Sequence, residues 1–270
     1  MRILICGDVV GRSGRNAITG NLKKLRLIHS IDFIIVNGEN AAGGFGITPK
    51  ISAEIFNSGA DVITTGNHVW DQRDIIPYFD KEPRLLRPEN FPKGTPGTGV
   101  NAFKDGRGRR VIVLHLMARL FMDPLDDPFS KISELLSKWR LKGNADAIVL
   151  DFHGEASSEK MAMGHFIDGR VSAVVGTHTH IPTADAQILP NGTAYMTDIG
   201  MCGDYDSVIG LKKETCIQRF VRKMPTARME AATGEATLCA ALVDINDDTG
   251  LATGMQPLRI GGRLQEAIPD

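Results

Sequence analysis

Short apolar runs, each ending abruptly in a polar donor, constrain this chain more than any other feature. The donor stretches are Gly7-Asp8, Gly38-Glu39-Asn40, Gly66-Asn67-His68, His153-Gly154-Glu155, Gly176-Thr177-His178 and His180, with Asp198-Ile199-Gly200 as a further candidate. Most follow directly on β-branched and aliphatic residues. Each donor is therefore expected at the C-terminal end of a strand, the edge where open α/β sheets place their sites. One such coincidence is cheap. Five or six in one chain are hard to explain as packing.

The runs alternate with longer amphipathic segments. Strands are expected at 3–6, 33–36 and 62–65, with helices at 16–27, 49–58 and 73–79 between and after them. Thr48 and Pro49 make a plausible N-cap and first helical residue. Residues 87–99 hold three prolines and three glycines and read as a loop. Further on, strands at 111–116, 147–150 and 171–175 are separated by a helix opening at Asp127-Pro128 and another at 157–166. Pro190-Asn191-Gly192 and Asn246-Asp247-Asp248-Thr249 each sit between short strands as hairpin signals. Residues 212–223 read as a basic helix, and 230–234 as an exposed turn. The pattern is βαβ first and antiparallel hairpins later, a layered α/β sandwich in one domain spanning 1–270.

Composition narrows the function classes. The 270 residues are 42% hydrophobic and carry a net charge of −1. That leaves no basic excess for duplex DNA or long RNA, although a nucleotide or short oligomer remains compatible because a metal can supply positive charge. Cys6, Cys202, Cys216 and Cys239 form no CxxC pair, against a zinc ribbon or thioredoxin motif, and fit a reducing cytoplasm. Asp8 interrupts the N-terminal apolar run too early for a signal peptide, and no run reaches membrane-spanning length. A GxSxG elbow and a P-loop are both missing.

The donors differ in chemistry. Asp8 is a hard oxygen ligand for a divalent ion, or, read alone, a turn residue. Glu39 can bridge two metals; Asn40 offers a neutral oxygen. Asn67 can ligate through its amide oxygen, while His68 next to it projects differently and stays available as an acid. His178-Thr179-His180 is the strongest local signal, because residues two apart in an extended segment point to one side. His153 adds a third imidazole. His29, His115 and His165 lack this context and read as structural. Arg12 and Arg15, in a glycine-rich turn, suit phosphate or plain surface equally.

Taken in order, Gly-Asp, Glu, Gly-Asn-His, His and His-x-His resemble the calcineurin-like metallophosphoesterase superfamily. The wording of Gly7-Asp8-Val9-Val10-Gly11, Asn37-Gly38-Glu39-Asn40-Ala41, Thr65-Gly66-Asn67-His68-Val69-Trp70-Asp71, Asp151-Phe152-His153-Gly154-Glu155 and the run from Gly176 to Asp185 is similar to its YmdB-like branch. The resemblance implies a four-layer α/β sandwich with a dinuclear centre. Asp8 and His180 would hold the first metal with Asn40 as ligand or support, and Glu39 would bridge. Asn67, His153 and His178 would hold the second. His68 would be the unligated catalytic histidine. Two departures stand out. Val10 replaces the usual histidine of the first motif, and Val69 replaces the usual acid after Asn-His. Asp71 either orients His68 in its place or caps a helix.

The reading is a cytoplasmic metal-dependent phosphodiesterase in which two metals clamp the phosphate and activate water, and the YmdB-like resemblance implies cyclic nucleotides as its substrates, 2′,3′-cyclic ones favoured. Iron or manganese suits the mixed imidazole and oxygen donors, and zinc also fits. The competing readings are a phosphomonoesterase or protein phosphatase, and a regulatory protein that binds a phosphorylated ligand with little turnover. The family resemblance allows a homo-oligomer.

Overall fold

The structure is a computed structural model that describes residues 1–224 and 227–269. The chain opens with β1 (Arg2–Cys6), β2 (Asp8–Val9), α1 (Gly11–Ile28), β3 (Phe33–Asn37), α2 (Pro49–Asn57) and β4 (Val62–Thr64). A 3₁₀ turn at Arg73–Ile75 leads to α3 (Ile76–Phe79), β5 (Leu85–Leu86), β6 (Val100–Lys104) and β7 (Arg110–Met117). Then come α4 (Pro128–Lys138), β8 (Ala147–His153), α5 (Ser157–Phe166), β9 (Ala173–Thr177), β10 (Gln187–Ile188) and β11 (Ala194–Met196). The chain closes with β12 (Met201–Asp204), α6 (Lys213–Arg222), β13 (Ala236–Ile245) and β14 (Ala252–Ile260).

Two sheets result. One has the order β2-β12-β13-β1-β3-β4-β5, with β14 also paired to β13; the other runs β10-β11-β9-β8-β7-β6. The β1, β3, β4 and β5 strands are mutually parallel, as are β7, β8, β9 and β11. The antiparallel partners β13, β14, β6 and β10 come from hairpins or the chain's last third.

Period-two alternation sorts the side chains into layers. Ile3, Ile5, Phe33 and Ile35 turn inward and meet Val111, Val113, Val149 and Val175 of the facing sheet. Leu4, Cys6, Ile34 and Val36 turn outward, beneath Ile18, Leu22 and Leu25 of α1 and Ile55 and Phe56 of α2. On the far side Ile112, Leu114, Ile148 and Leu150 lie under Ile132, Leu135 and Leu136 of α4 and Met163 of α5. This is the four-layer α/β/β/α sandwich. No helix among the described residues is long and apolar enough to cross a membrane, and all four cysteines are buried free thiols.

The differences from the sequence reading have local causes. Helix α1 starts at Gly11 rather than 16, its entry tied by Gly11 N donating to Asn40 O. The Thr48 cap is present, its hydroxyl accepting from Ile51 N. Strands β8 and β9 run on to His153 and Thr177, because their parallel ladder continues through Asp151, Phe152 and Gly176. The short strands β2, β5 and β12 and the polar β6 carry too little periodicity to detect. Residues 230–234 are not a free turn. Lys212 N donates to Glu230 O and Ala232 N to Gly210 O, and Ala232 is buried.

Ile35 is fully buried between the sheets and Leu27 is 81% exposed on α1. Ile35→Ala is expected to cost about 2–5 kcal/mol, and Leu27→Ala no more than about 0.5 kcal/mol. Urea unfolding reads both as midpoint shifts at constant slope.

Candidate metal centre

The C-terminal ends of the parallel strands in both sheets meet at one end of the sandwich. There Asp8 opens β2 just past the end of β1, Glu39 and Asn40 follow β3, Asn67 and His68 follow β4, β8 ends in His153, and β9 is followed by His178 and His180. Every predicted donor therefore reaches one region. Glu39, Asn40, His68, His178 and His180 line a cleft of about 200 Å³ together with Val10, Phe45, Glu155 and Ile209.

The hydrogen-bond network fixes which ring nitrogen of each histidine carries its proton. Thr177 Oγ1 donates to Asp151 Oδ1 at 2.7 Å, so it accepts from His153 Nδ1 at 2.9 Å. His153 Nε2 is then a bare lone pair. It faces Asn67 Oδ1 at 3.0 Å and His178 Nδ1 at 3.2 Å. His178 Nε2 stands 3.2 Å from a carboxylate oxygen of Glu155, which favours the proton there and leaves Nδ1 bare. His180 Nδ1 donates to Ile209 O at 2.7 Å, so its Nε2 lone pair meets Asn40 Oδ1 at 3.1 Å. The Asn40 amide is oriented by Nδ2 donating to Gly44 O.

Lone pairs thus face lone pairs across two gaps, an arrangement that repels unless a cation stands between them. Two donors bound at about 2.1 Å to one ion lie roughly 3.0–3.5 Å apart, and the spacings here match. Asp8 Oδ1 lies 3.9 Å from His180 Nε2, and Glu39 Oε1 lies 3.7 Å from His153 Nε2. Asp8 Oδ1 and Glu39 Oε2 are buried with no hydrogen-bond partner. An orphaned buried carboxylate oxygen is costly, and a cation removes the cost. Among the described residues no three His, Cys, Asp or Glu side chains form a ligand group by themselves; both donor groups here include an asparagine. The residues present fit a divalent ion in each gap.

Electrostatics agree. Burial, then the nearby Asp198 charge, pushes the Asp8 carboxyl well above its usual range, and burial does the same to Glu39. Burial and neighbouring histidines hold His153 well below the ordinary imidazole value and His178 at about 4; burial also lowers His180. Neutral imidazoles are the ligating form, and a bound cation favours ionised carboxylates.

The expectation that His178 and His180 share one side of an extended strand is not met. Strand β9 stops at Thr177, and both histidines adopt positive φ, 95° and 68°. The turn sends His178 to His153 and His180 to Asn40, so they serve different gaps. His68 does project away from Asn67. It lies at the cleft rim, about 30% exposed, with Nδ1 2.9 Å from Asp71 Oδ2 and its ring edge-on to Phe45. Asp71 orients His68; the following 3₁₀ turn has Gln72, not Asp71, at its cap. Gly66 is required by contact, since a Cβ there would lie 2.3 Å from His153 Nε2. Arg15 is engaged with Ala41 O and lies 3.8 Å from Glu54, away from the cleft lining. His29 and His115 are buried, His115 with Nδ1 on Asp151 O, in keeping with structural roles.

The sequence reading missed the scaffold around the donors. Asp151 is one part, visible only as a carboxylate inside an apolar run. Lys160 is another. It lies on α5 at 1% exposure, with Nζ donating to Thr177 O at 2.7 Å and to Asp198 Oδ2 at 2.9 Å. Asp198 also accepts from Thr179 N and Oγ1 and from Gly200 N. This buried ion pair brackets the strained 177–180 turn. Breaking it is expected to cost about 3–5 kcal/mol, because one charge is left uncompensated. Asp198→Ala should show that loss in urea unfolding at pH 7, and adding Lys160→Met should recover part of it by removing the stranded ammonium.

The comparisons with known proteins bear on the whole chain. The family of YmdB-like proteins matches residues 4–258. A 2′,3′-cyclic-nucleotide 2′-phosphodiesterase of Bacillus subtilis (strain 168) is 48% identical over 260 residues, covering 96% of this chain and 97% of that protein. A hypothetical protein from Thermus thermophilus superposes with a TM-score of 0.90 at 40% identity, over 97% of this chain and 100% of that one. A phosphatase structure from Mycoplasma pneumoniae gives 0.88 at 32% identity, over 97% and 93%. With near-complete coverage in sequence and in structure, this chain belongs to the YmdB-like family.

Proposed function

We propose that this protein is a metal-dependent phosphodiesterase that opens 2′,3′-cyclic nucleotides. The observation that carries the reading is the convergence of bare imidazole nitrogens, amide oxygens and orphaned carboxylate oxygens at one cleft, with a free histidine at its rim. The activity named for the Bacillus subtilis relative supports the substrate class.

Asp8, Asn40 and His180 would hold one ion, Asn67, His153 and His178 the other, with Glu39 between them. When bound, the ions supply Lewis-acid polarisation of the phosphate oxygens and an acidified water. The chain's own residues do the rest. Thr177, Glu155 and Ile209 keep the imidazole protons on the outer nitrogens. His68, its Nδ1 held by Asp71, presents Nε2 to the cleft and protonates the departing O2′. Water adds to phosphorus, the P–O2′ bond breaks, and a nucleoside 3′-phosphate leaves. Iron or manganese best suits this donor mix, and zinc fits as well.

Elemental analysis of active enzyme is expected to find about two transition-metal ions per chain, the dinuclear template. Full activity with one ion per chain would remove Glu39's bridging role, and full activation of stripped protein by magnesium alone would overturn the metal assignment. A panel of cyclic nucleotides and phosphomonoesters tests the substrate; preference for monoesters would make the protein a phosphomonoesterase.

The two histidine roles separate by mutation. His180→Ala is expected to lower metal occupancy together with activity. His68→Ala should keep occupancy and slow turnover by roughly 10²–10⁴-fold, the range for losing a general acid. The loss should shrink for an ester with a good leaving group. Equal loss for good and poor leaving groups would make His68 a positioning residue.

A further inference from the structure

A second and larger cleft adjoins the first. It encloses about 1010 Å³ along α6 and shares Ile209 and Leu211 with the metal cleft. Ile209 is the joint, since its carbonyl also holds His180 Nδ1. The metal cleft, at about 200 Å³, is smaller than the roughly 300–1,000 Å³ of pockets that enclose a small ligand. It has room for a cyclic phosphate and part of its ribose. A substrate larger than this would reach beyond the metal cleft, and the α6 cleft adjoins it through Ile209 and Leu211.

Its lining suits a nucleic-acid chain. Arg219, Lys223 and Arg228 stand on a largely apolar lining that includes Phe220, Met224 and Met229. Phe220 is 68% exposed and Met224 63%, so neither is spent on the core. Of α6, only Cys216 is buried. Of the cations between positions 212 and 230, Lys212 pairs with Glu230 and Lys213 with Asp206, and those that face the cleft are Arg219, Lys223 and Arg228. A cationic groove with an exposed aromatic is how single strands are held without sequence reading: cations track phosphates and bases stack on the ring. A 2′,3′-cyclic phosphate is the 3′ end of a ribonucleotide chain, whose remaining nucleotides continue from its 5′ oxygen. We propose that the α6 cleft binds the nucleotides preceding the cyclic phosphate, so that the preferred substrate is a short oligoribonucleotide ending in a 2′,3′-cyclic phosphate. The inference rests on the cyclic-nucleotide reading of the metal cleft.

The test compares uridine 2′,3′-cyclic phosphate with a uridine trinucleotide ending in the same group, on metal-loaded enzyme. The wild type is expected to favour the trinucleotide in kcat/KM by about tenfold or more, the scale of one stacked base. Phe220→Ala, on the exposed helix, and Lys223→Gln, at its C-terminal cap, should bring the ratio towards one, and added salt should do likewise. A ratio of one in the wild type, or a ratio unmoved by both variants, overturns the proposal. Binding of a labelled trinucleotide ending in a 3′-phosphate, followed by anisotropy, separates the two readings. If neither cyclic substrate is turned over but binding still falls in Phe220→Ala, the activity is wrong and the cleft assignment stands. If both substrates turn over equally and binding is unchanged in the variants, the cleft assignment alone fails. An oligomer that dissociates on Phe220→Ala with the ratio unchanged would give this face to a second copy of the chain and also overturn the proposal.

Discussion

The carboxylate of Asp151 joins the two halves of this molecule. It accepts from Asn37 Nδ2 of β3 at 3.0 Å, Thr64 Oγ1 of β4 at 2.6 Å and Thr177 Oγ1 of β9 at 2.7 Å. The first two strands belong to one sheet and the third, with Asp151 itself, to the other. A buried carboxylate with three donors is satisfied without a counter-charge. It also pins the C-terminal edges of both sheets to each other where the donors emerge. Through Thr177 it sets the tautomer of His153, and through Asn37, whose Oδ1 accepts from Glu39 N, it places Glu39. The two sheets can slide against each other only if these bonds break.

Around that anchor the site departs from what would stabilise the bare fold. His178 and His180 sit at positive φ, where a non-glycine residue costs of order 1–3 kcal/mol. Lone pairs point at lone pairs, and carboxylate oxygens are buried without partners. The compensation is nearby. The Lys160–Asp198 pair holds the turn from beneath, and Tyr205 Oη donates to His180 O. Such a site is preorganised: the donors are held apart by the scaffold, and a cation bound between them would restore what burial and repulsion cost.

Much of this was legible in the chain. The apolar runs predicted β1, β3, β4, β7, β8 and β9, and the donors after them all reached one end of the sandwich. Helix α5 spans the residues expected, and the Thr48 and Asp127 caps are in place. What could not be read was anything that depends on a partner distant in sequence. Asp151 sits in an apolar run and Lys160 on a short helix, and neither has a local signal for bonds made 17 to 114 positions away. The backbone reversal at His178 was hidden for the same reason, because extended and left-handed backbones share one sequence spelling.

The division follows from the range of the forces. Periodicity, caps and turn residues act within a few positions, so the strands, most helices, the layered class and the set of donor residues are written locally in the chain. Which sheet each strand joins, which donors share a gap and which imidazole nitrogen is bare are set by contacts between segments far apart in sequence. Those were fixed when the segments packed, and with them came the split of His178 and His180 between two gaps and the continuity of the metal cleft with the groove along α6.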